Sequence, residues 1–155
     1  MKTIVVGVGN PILQDDGVGI YVAKQLKKHV QDPDIVIEEA FTGGMNLLDL
    51  ILGYDKAIII DAVKSEKKQK NEVRRFTLND FSTGIHSCNP HDISLVEAIH
   101  LAKKLGETRI PQEIVVIGIL IDRISQVFGE KLSEKTASLV PKAVDMVVDE
   151  IRKGG

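Results

Sequence analysis

Between positions 57 and 60 every residue is apolar, and the run ends on a carboxylate, Asp61. A strand that is apolar on both faces needs cover on both, which is the condition of a central strand in a parallel sheet packed between helices. The rest of the chain supplies the other parts. Thr3–Val8 is β-branched and apolar and ends in a glycine turn, residues 34–39 alternate, and residues 113–119 form a last buried run. Between them lie amphipathic segments. Val18, Val22, Leu26 and Val30 fall at four-residue steps, residues 45–52 form a short helix stopped by Gly53, and Val140, Val144, Val147 and Ile151 share one stripe. Pro141 kinks this last helix, drawn over residues 133–152, or marks its real start. Residues 73–78 alternate weakly and carry Arg74 and Arg75, as an edge strand does when its charges discourage further pairing. The order β-α-β-α-β-β-α-β-α predicts an α/β fold, a three-layer α/β/α sandwich on a five-stranded, mostly parallel sheet. A chain of 155 residues is the size of one domain, and we expect one across 1–155.

Composition excludes several function classes. Lys and Arg number 20 against 22 Asp and Glu, a net charge of −2, so the basic face of a nucleic-acid binder is not expected. One cysteine, Cys88, forbids an intrachain disulfide and suits a reducing cytoplasm. No run approaches the roughly 20 apolar residues of a membrane span, and no signal peptide is read at the start. The expected location is the cytoplasm.

In open α/β sheets, ligands bind beyond the carboxyl ends of the strands. Three groups of chemistry-bearing residues fall there. Asp15 and Asp16 follow the first strand, Asp61 ends the third, and His86, Cys88 and His91 precede or open the helix announced by Asn89-Pro90-His91-Asp92. Each has a plainer role taken singly: a helix cap for Asp16, a turn for Asp61, a surface position for His91. Together, two carboxylates and an imidazole make a divalent-metal site with positions left open for substrate, and imidazole suits nickel or zinc. Gly7-Val8-Gly9-Asn10 lacks the third glycine of a dinucleotide loop, since Ile12 stands there, and the acidic pair would repel a pyrophosphate. Those glycines are read as serving a tight turn. The segment between positions 64 and 75 reads as a solvated charged loop and edge.

The stretch Gly7 to Gly19, Gly-Val-Gly-Asn-Pro-Ile-Leu-Gln-Asp-Asp-Gly-Val-Gly, resembles the opening motif of the hydrogenase maturation proteases. Thr42-Gly43-Gly44-Met45 is similar to that family's glycine loop, Ile58-Ile59-Ile60-Asp61-Ala62 to its strand-three aspartate motif, Pro90-His91-Asp92-Ile93-Ser94-Leu95 to its histidine motif, and Val116-Ile117-Gly118-Ile119 to its final strand. The resemblance implies that the edge strand at 73–78 runs antiparallel. It implies an endopeptidase that removes the C-terminal extension of a [NiFe] hydrogenase large-subunit precursor after nickel insertion. The family's metal ligands map onto Asp16, Asp61 and His91, which are also the catalytic candidates, with His91 rather than His86 as the imidazole. Glu39, Thr42, Gly43 and Gly44 map onto the region that reads the substrate, and Glu39-Ala40-Phe41 departs from the family's Asp-Gly-Gly there. Nickel is expected to arrive on the precursor and to be held weakly by the free protein, which acts as a monomer without nucleic acid or membrane insertion. Two other readings stay open: a nickel-binding maturation chaperone without peptidase activity, and a receiver-like signalling domain. The second would need a lysine at the end of the last strand, where residues 118–123 read Gly-Ile-Leu-Ile-Asp-Arg.

Overall fold

Five strands form one sheet: β1 (Thr3–Val8), β2 (Ile35–Ala40), β3 (Lys56–Lys64), β4 (Val73–Thr77) and β5 (Glu113–Ile121), in the order β2-β1-β3-β5-β4. These come from a computed structural model that describes residues 1–10, 12–41, 45–64, 72–82, 90–121, 129 and 131–153. β1 pairs in parallel with β2 and β3, and β3 with β5. β4 runs antiparallel to β5 at the edge, as the resemblance implies. The helices are α1 (Val18–His29), α2 (Met45–Ile51), α3 (Leu78–Ser82), α4 (Pro90–Lys104), α5 (Glu134–Ala137) and α6 (Val140–Lys153), and a 3-10 turn, Gln14–Gly17, leads into α1. Among the described residues no helix is long and apolar enough to cross a membrane.

Strand alternation divides the core into two layers. Val5, Ile58, Ile60 and Ile117 face α1 and α6, whose Val18, Val22, Leu26 and Val147 pack on them. Ile4, Val6, Ile59 and Val116 face α2 and α4 through Leu47, Ile51, Leu95 and Ile99. This is the three-layer sandwich expected from the apolar runs.

The structure revises several boundaries. β3 does not end at Asp61 but continues to Lys64, because β5 goes on pairing with it from Asp61↔Gly118 to Lys64↔Ile121. The last helix is broken. Ser133 caps α5, accepting a hydrogen bond from the Thr136 N–H, and α6 starts at Val140, so Pro141 marks a helix start, where its missing N–H costs nothing. Arg75 does more than guard an edge. It reaches Glu150 of α6, which also accepts from Lys56 Nζ at 3.0 Å, and Lys56 is only 3% exposed. The Lys56 ammonium has three protons, and they meet the Glu150 carboxylate, the Glu150 backbone carbonyl at 2.9 Å and Glu113 at 2.9 Å. The positions in the charged run that fall on 65–71 lie outside the described residues.

This buried cluster sits at the end of the sheet where β3 and β5 begin, away from the candidate site, so its effects should be confined to stability. Burial pushes the Glu150 carboxyl up, but hydrogen bonds from Arg75 and Lys56 outweigh that and hold it below the usual carboxylate range. A carboxyl depressed by folding contributes stability that is present above its unfolded pKa and is lost as pH falls through its folded value. Lys56→Met should cost about 3–5 kcal/mol at neutral pH, the cost of leaving a buried charge short of its partner. The expected deficit relative to the parent, read by urea denaturation, shrinks as acid protonates Glu150; an equal deficit at pH 7 and pH 3 would count against the assignment.

Candidate active site

β1 sends the chain to one side through α1 and β2, while β3 leads to β5 and β4 on the other, so the order β2-β1-β3 places a topological switch point between β1 and β3. A crevice opens at such a point beyond the carboxyl ends of the strands. β1 stops pairing with β3 at Gly7↔Ile60, and the next residue of β3 is Asp61. One flank of Asp61 is therefore strand β5, and the other faces the loop that carries Asp16.

Two close approaches bring the loop there. A Cβ on Gly7 would lie 2.3 Å from the Gly19 carbonyl oxygen, and one on Gly19 would lie 2.4 Å from the Ile60 carbonyl and 2.5 Å from that of Val8. Helix α1 thus rests directly on the backbone of β1 and β3. Gly7 serves this packing rather than a turn, which corrects the sequence reading. Gly9 is the turn residue: a Cβ there would lie 2.1 Å from the Asp16 carbonyl.

Asp16 is buried, at 6% exposure, and its Oδ2 accepts a hydrogen bond from the Asn10 N–H at 3.0 Å. The cap reading is not what the structure shows: the N-cap of α1 is Gly17, with no side-chain cap bond. The Asn10 N–H, a backbone donor of the kind that binds phosphate in a dinucleotide loop, is taken here by this carboxylate. Its neighbour Asp15 has a different task, accepting from both N–H and Oγ of Ser133 at 2.8 Å. The loop is further fixed by Gln14 N–H to the Gly129 carbonyl at 2.8 Å and by Gly129 N–H to the Ile12 carbonyl at 2.7 Å. Asn10, Asp15, Gly19, Gly129 and Ser133 were missed as positioning residues. The single glycine inside a helical pattern at 19 was the available signal, since such a glycine often marks close packing.

Asp61 is fully buried and shares a face of β3 with Ile59 and Val63, which face the α2 and α4 layer. Its carboxyl is pushed well above the usual range, first by burial and then by the charge of Asp16, against a hydrogen bond from the Ala62 N–H. It lies inside a strand, so the turn reading fails as well. Beside it in β5, Gly118 leaves room that the Phe76 ring fills, since a Cβ there would sit 2.6 Å from that ring. His91 lies in the first turn of α4, directly after Pro90, on the layer toward which Asp61 points; its side chain, like Thr42, Gly43, Gly44, His86 and Cys88, falls outside what is described. Among the described residues no three metal-ligating side chains gather, and at this edge Asp16 lies near enough to Asp61 for its charge to raise the Asp61 carboxyl. Glu39 ends up at the carboxyl end of β2, paired with Lys27 at 2.7 Å and Lys24 at 3.9 Å of α1.

The family model for hydrogenase maturation proteases matches residues 20–150. The chain belongs to the hydrogenase maturation protease family. The match begins just after the glycine-acidic motif, so the membership does not depend on it. Among curated relatives, a hydrogenase 2 maturation protease of Escherichia coli (strain K12) is 26% identical, covering 100% of this chain and 93% of the relative. A coenzyme F420 hydrogenase subunit delta of Methanothermobacter thermautotrophicus is 29% identical over 97% of this chain and 94% of its own length. Among solved structures, the hydrogenase maturating endopeptidase HybD from E. coli superposes with a TM-score of 0.79 at 24% identity, covering 100% of this chain and 94% of that one. A receiver-like signalling domain is thereby set aside, and this maturation protease shares its α/β sandwich with the HybD-type structures.

Proposed function

We propose that the chain is the endopeptidase that removes the C-terminal extension of a [NiFe] hydrogenase large-subunit precursor once nickel has been inserted. The observation that carries the reading is the buried pair Asp16 and Asp61, two carboxylates of like charge held at the switch point. Buried charges are ordinarily paired or coordinate metal, and a cation shared between the two would relieve both their repulsion and their desolvation. Two hard oxygen donors and one imidazole, His91, are an incomplete set for nickel, so affinity is expected from thiolates on the precursor. Bound there, the metal would polarise the scissile carbonyl or simply align it. The Asn10 N–H fixes Asp16, the Ala62 N–H fixes Asp61, and burial together with the charge of Asp16 raises the proton affinity of Asp61. Glu39 and the glycine loop, residues 42–44, would receive the tail.

The test is processing of a cognate precursor with and without inserted nickel. We expect cleavage of the nickel-loaded form alone, a loss of at least about 100-fold in Asp16→Asn and His91→Ala, of the size general acid–base groups contribute, and little loss in His86→Ala. The protein after dialysis should retain far less than one nickel per chain. Equal cleavage of both precursor forms, or a folded Asp16→Asn that cuts at the parent rate, would defeat the reading. Precursor binding without any cleavage would make the protein a chaperone instead.

A further inference from the structure

Beside the 3-10 turn that carries Asp16 the surface is hollowed and apolar. A cleft of about 390 Å³ is lined by Ile12, Ile20, Tyr21 and Leu132, with Gln14 on its wall and Lys24 on its rim. A second hollow of about 380 Å³ continues from it, sharing Tyr21 and Leu132 and adding Lys131 and Ala137. Ile12 and Tyr21 are 47% and 45% exposed, a large apolar surface to leave in water beside a catalytic pair. Gly17, directly after Asp16, lines the first cleft, so the trough borders the turn that carries Asp16.

The trough is built before any partner arrives. Its Ile12 wall is held by the Gly129 N–H, and the Leu132 wall by the bonds from Ser133 to Asp15. Gln14 has a φ of 44°, a left-handed conformation that a residue with a Cβ seldom adopts, and it persists because these bonds fix both sides of it. Preorganised walls reduce the entropy lost on binding. Among the described lining residues the charged side chains are Lys24 and Lys131, both cationic and set at either end of an apolar centre.

We infer that this trough docks a segment of the protein substrate that combines an apolar side chain with an acidic one, the apolar group against Ile12, Tyr21 and Leu132 and the carboxylate toward Lys24 or Lys131. The inference rests on the proposed processing activity and names the part of the precursor's surface chemistry that the activity requires. It also gives the α1 face of the sandwich, rather than the α4 face, the task of choosing the target.

Two measurements on the full chain test it. In processing assays with the nickel-loaded precursor, Tyr21→Ala and Lys131→Glu should each lower kcat/KM about tenfold or more, as a rise in KM, at a melting temperature within a few degrees of the parent. A photo-crosslinking phenylalanine analogue in place of Tyr21 should capture the precursor on a peptide that contains Asp or Glu, whereas the same analogue in place of Leu105, 78% exposed on α4's side, should not. Unchanged KM in both variants, or crosslinking equal at the two positions, overturns the trough assignment while the processing reading stands. A parent protein that leaves the nickel-loaded precursor uncut overturns both.

Discussion

Asp61→Asn should melt higher than the parent and process nothing. Asp61 has no exposure to solvent, and folding places it beside the charge of Asp16, so its ionised form is disfavoured in the native state. The amide is nearly isosteric, can still accept from the Ala62 N–H, and carries no charge for Asp16 to repel. A gain of about 1–3 kcal/mol corresponds to roughly 3–10 °C for a domain of this size. The pH dependence has a definite sign. A carboxyl whose folded pKa is raised gives stability that is full below its unfolded pKa and is lost as pH rises through the folded value. The gap in melting temperature between Asp61→Asn and the parent is therefore small in acid and widens toward neutral pH. A variant that melts lower than the parent at pH 7 would show that Asp61 is a structural group and not a strained functional one.

Gly19→Ala is expected to do the reverse, removing stability and activity together. On intrinsic helix propensity alone the change should help, by about 1 kcal/mol. The added methyl instead meets the Ile60 and Val8 carbonyls at 2.4 and 2.5 Å, and these belong to two central strands that cannot move independently. Helix α1 would have to lift from the sheet, taking the 3-10 turn and Asp16 away from Asp61. We expect a loss of about 3 kcal/mol or more, at the upper end for an overpacked core, and a processing defect that persists at temperatures where the variant is folded. Gly118→Ala is the control. Its methyl meets the Phe76 ring and a Val63 methyl, side chains that can shift, so it should cost less. A Gly19→Ala protein as stable as the parent would mean that the contact between α1 and the strands is looser than described.

The local pattern of the chain already determined the layered sheet. Runs such as residues 57–60 and 114–117 are apolar at every position, and such strands are stable only with helices over both faces. The same reading put Asp16 and Asp61 toward one edge, because the ends of neighbouring parallel strands lie on the same side of the sheet; His91 follows the antiparallel β4, which that argument does not reach. Residue pattern alone could not tell which of two adjacent carboxylates does what, and only the family resemblance favoured Asp16. Asp15 and Asp16 are equivalent in a string of residues, and only the position of Ser133, far along the chain, makes one a tie and the other a buried site group. Nor could it distinguish a turn glycine from a packing glycine, since Gly7 earns its place through contact with Gly19 and not through its own φ. Arg75 read as an edge charge for the same reason: its partner, Glu150, lies in the last helix. Local propensity is set by a few neighbouring residues, whereas burial, charge pairing and close approach are set by residues distant in sequence. The tertiary structure therefore decided the raised proton affinity of Asp61, the support of Asp16 by Asn10, and the trough that opens beside them.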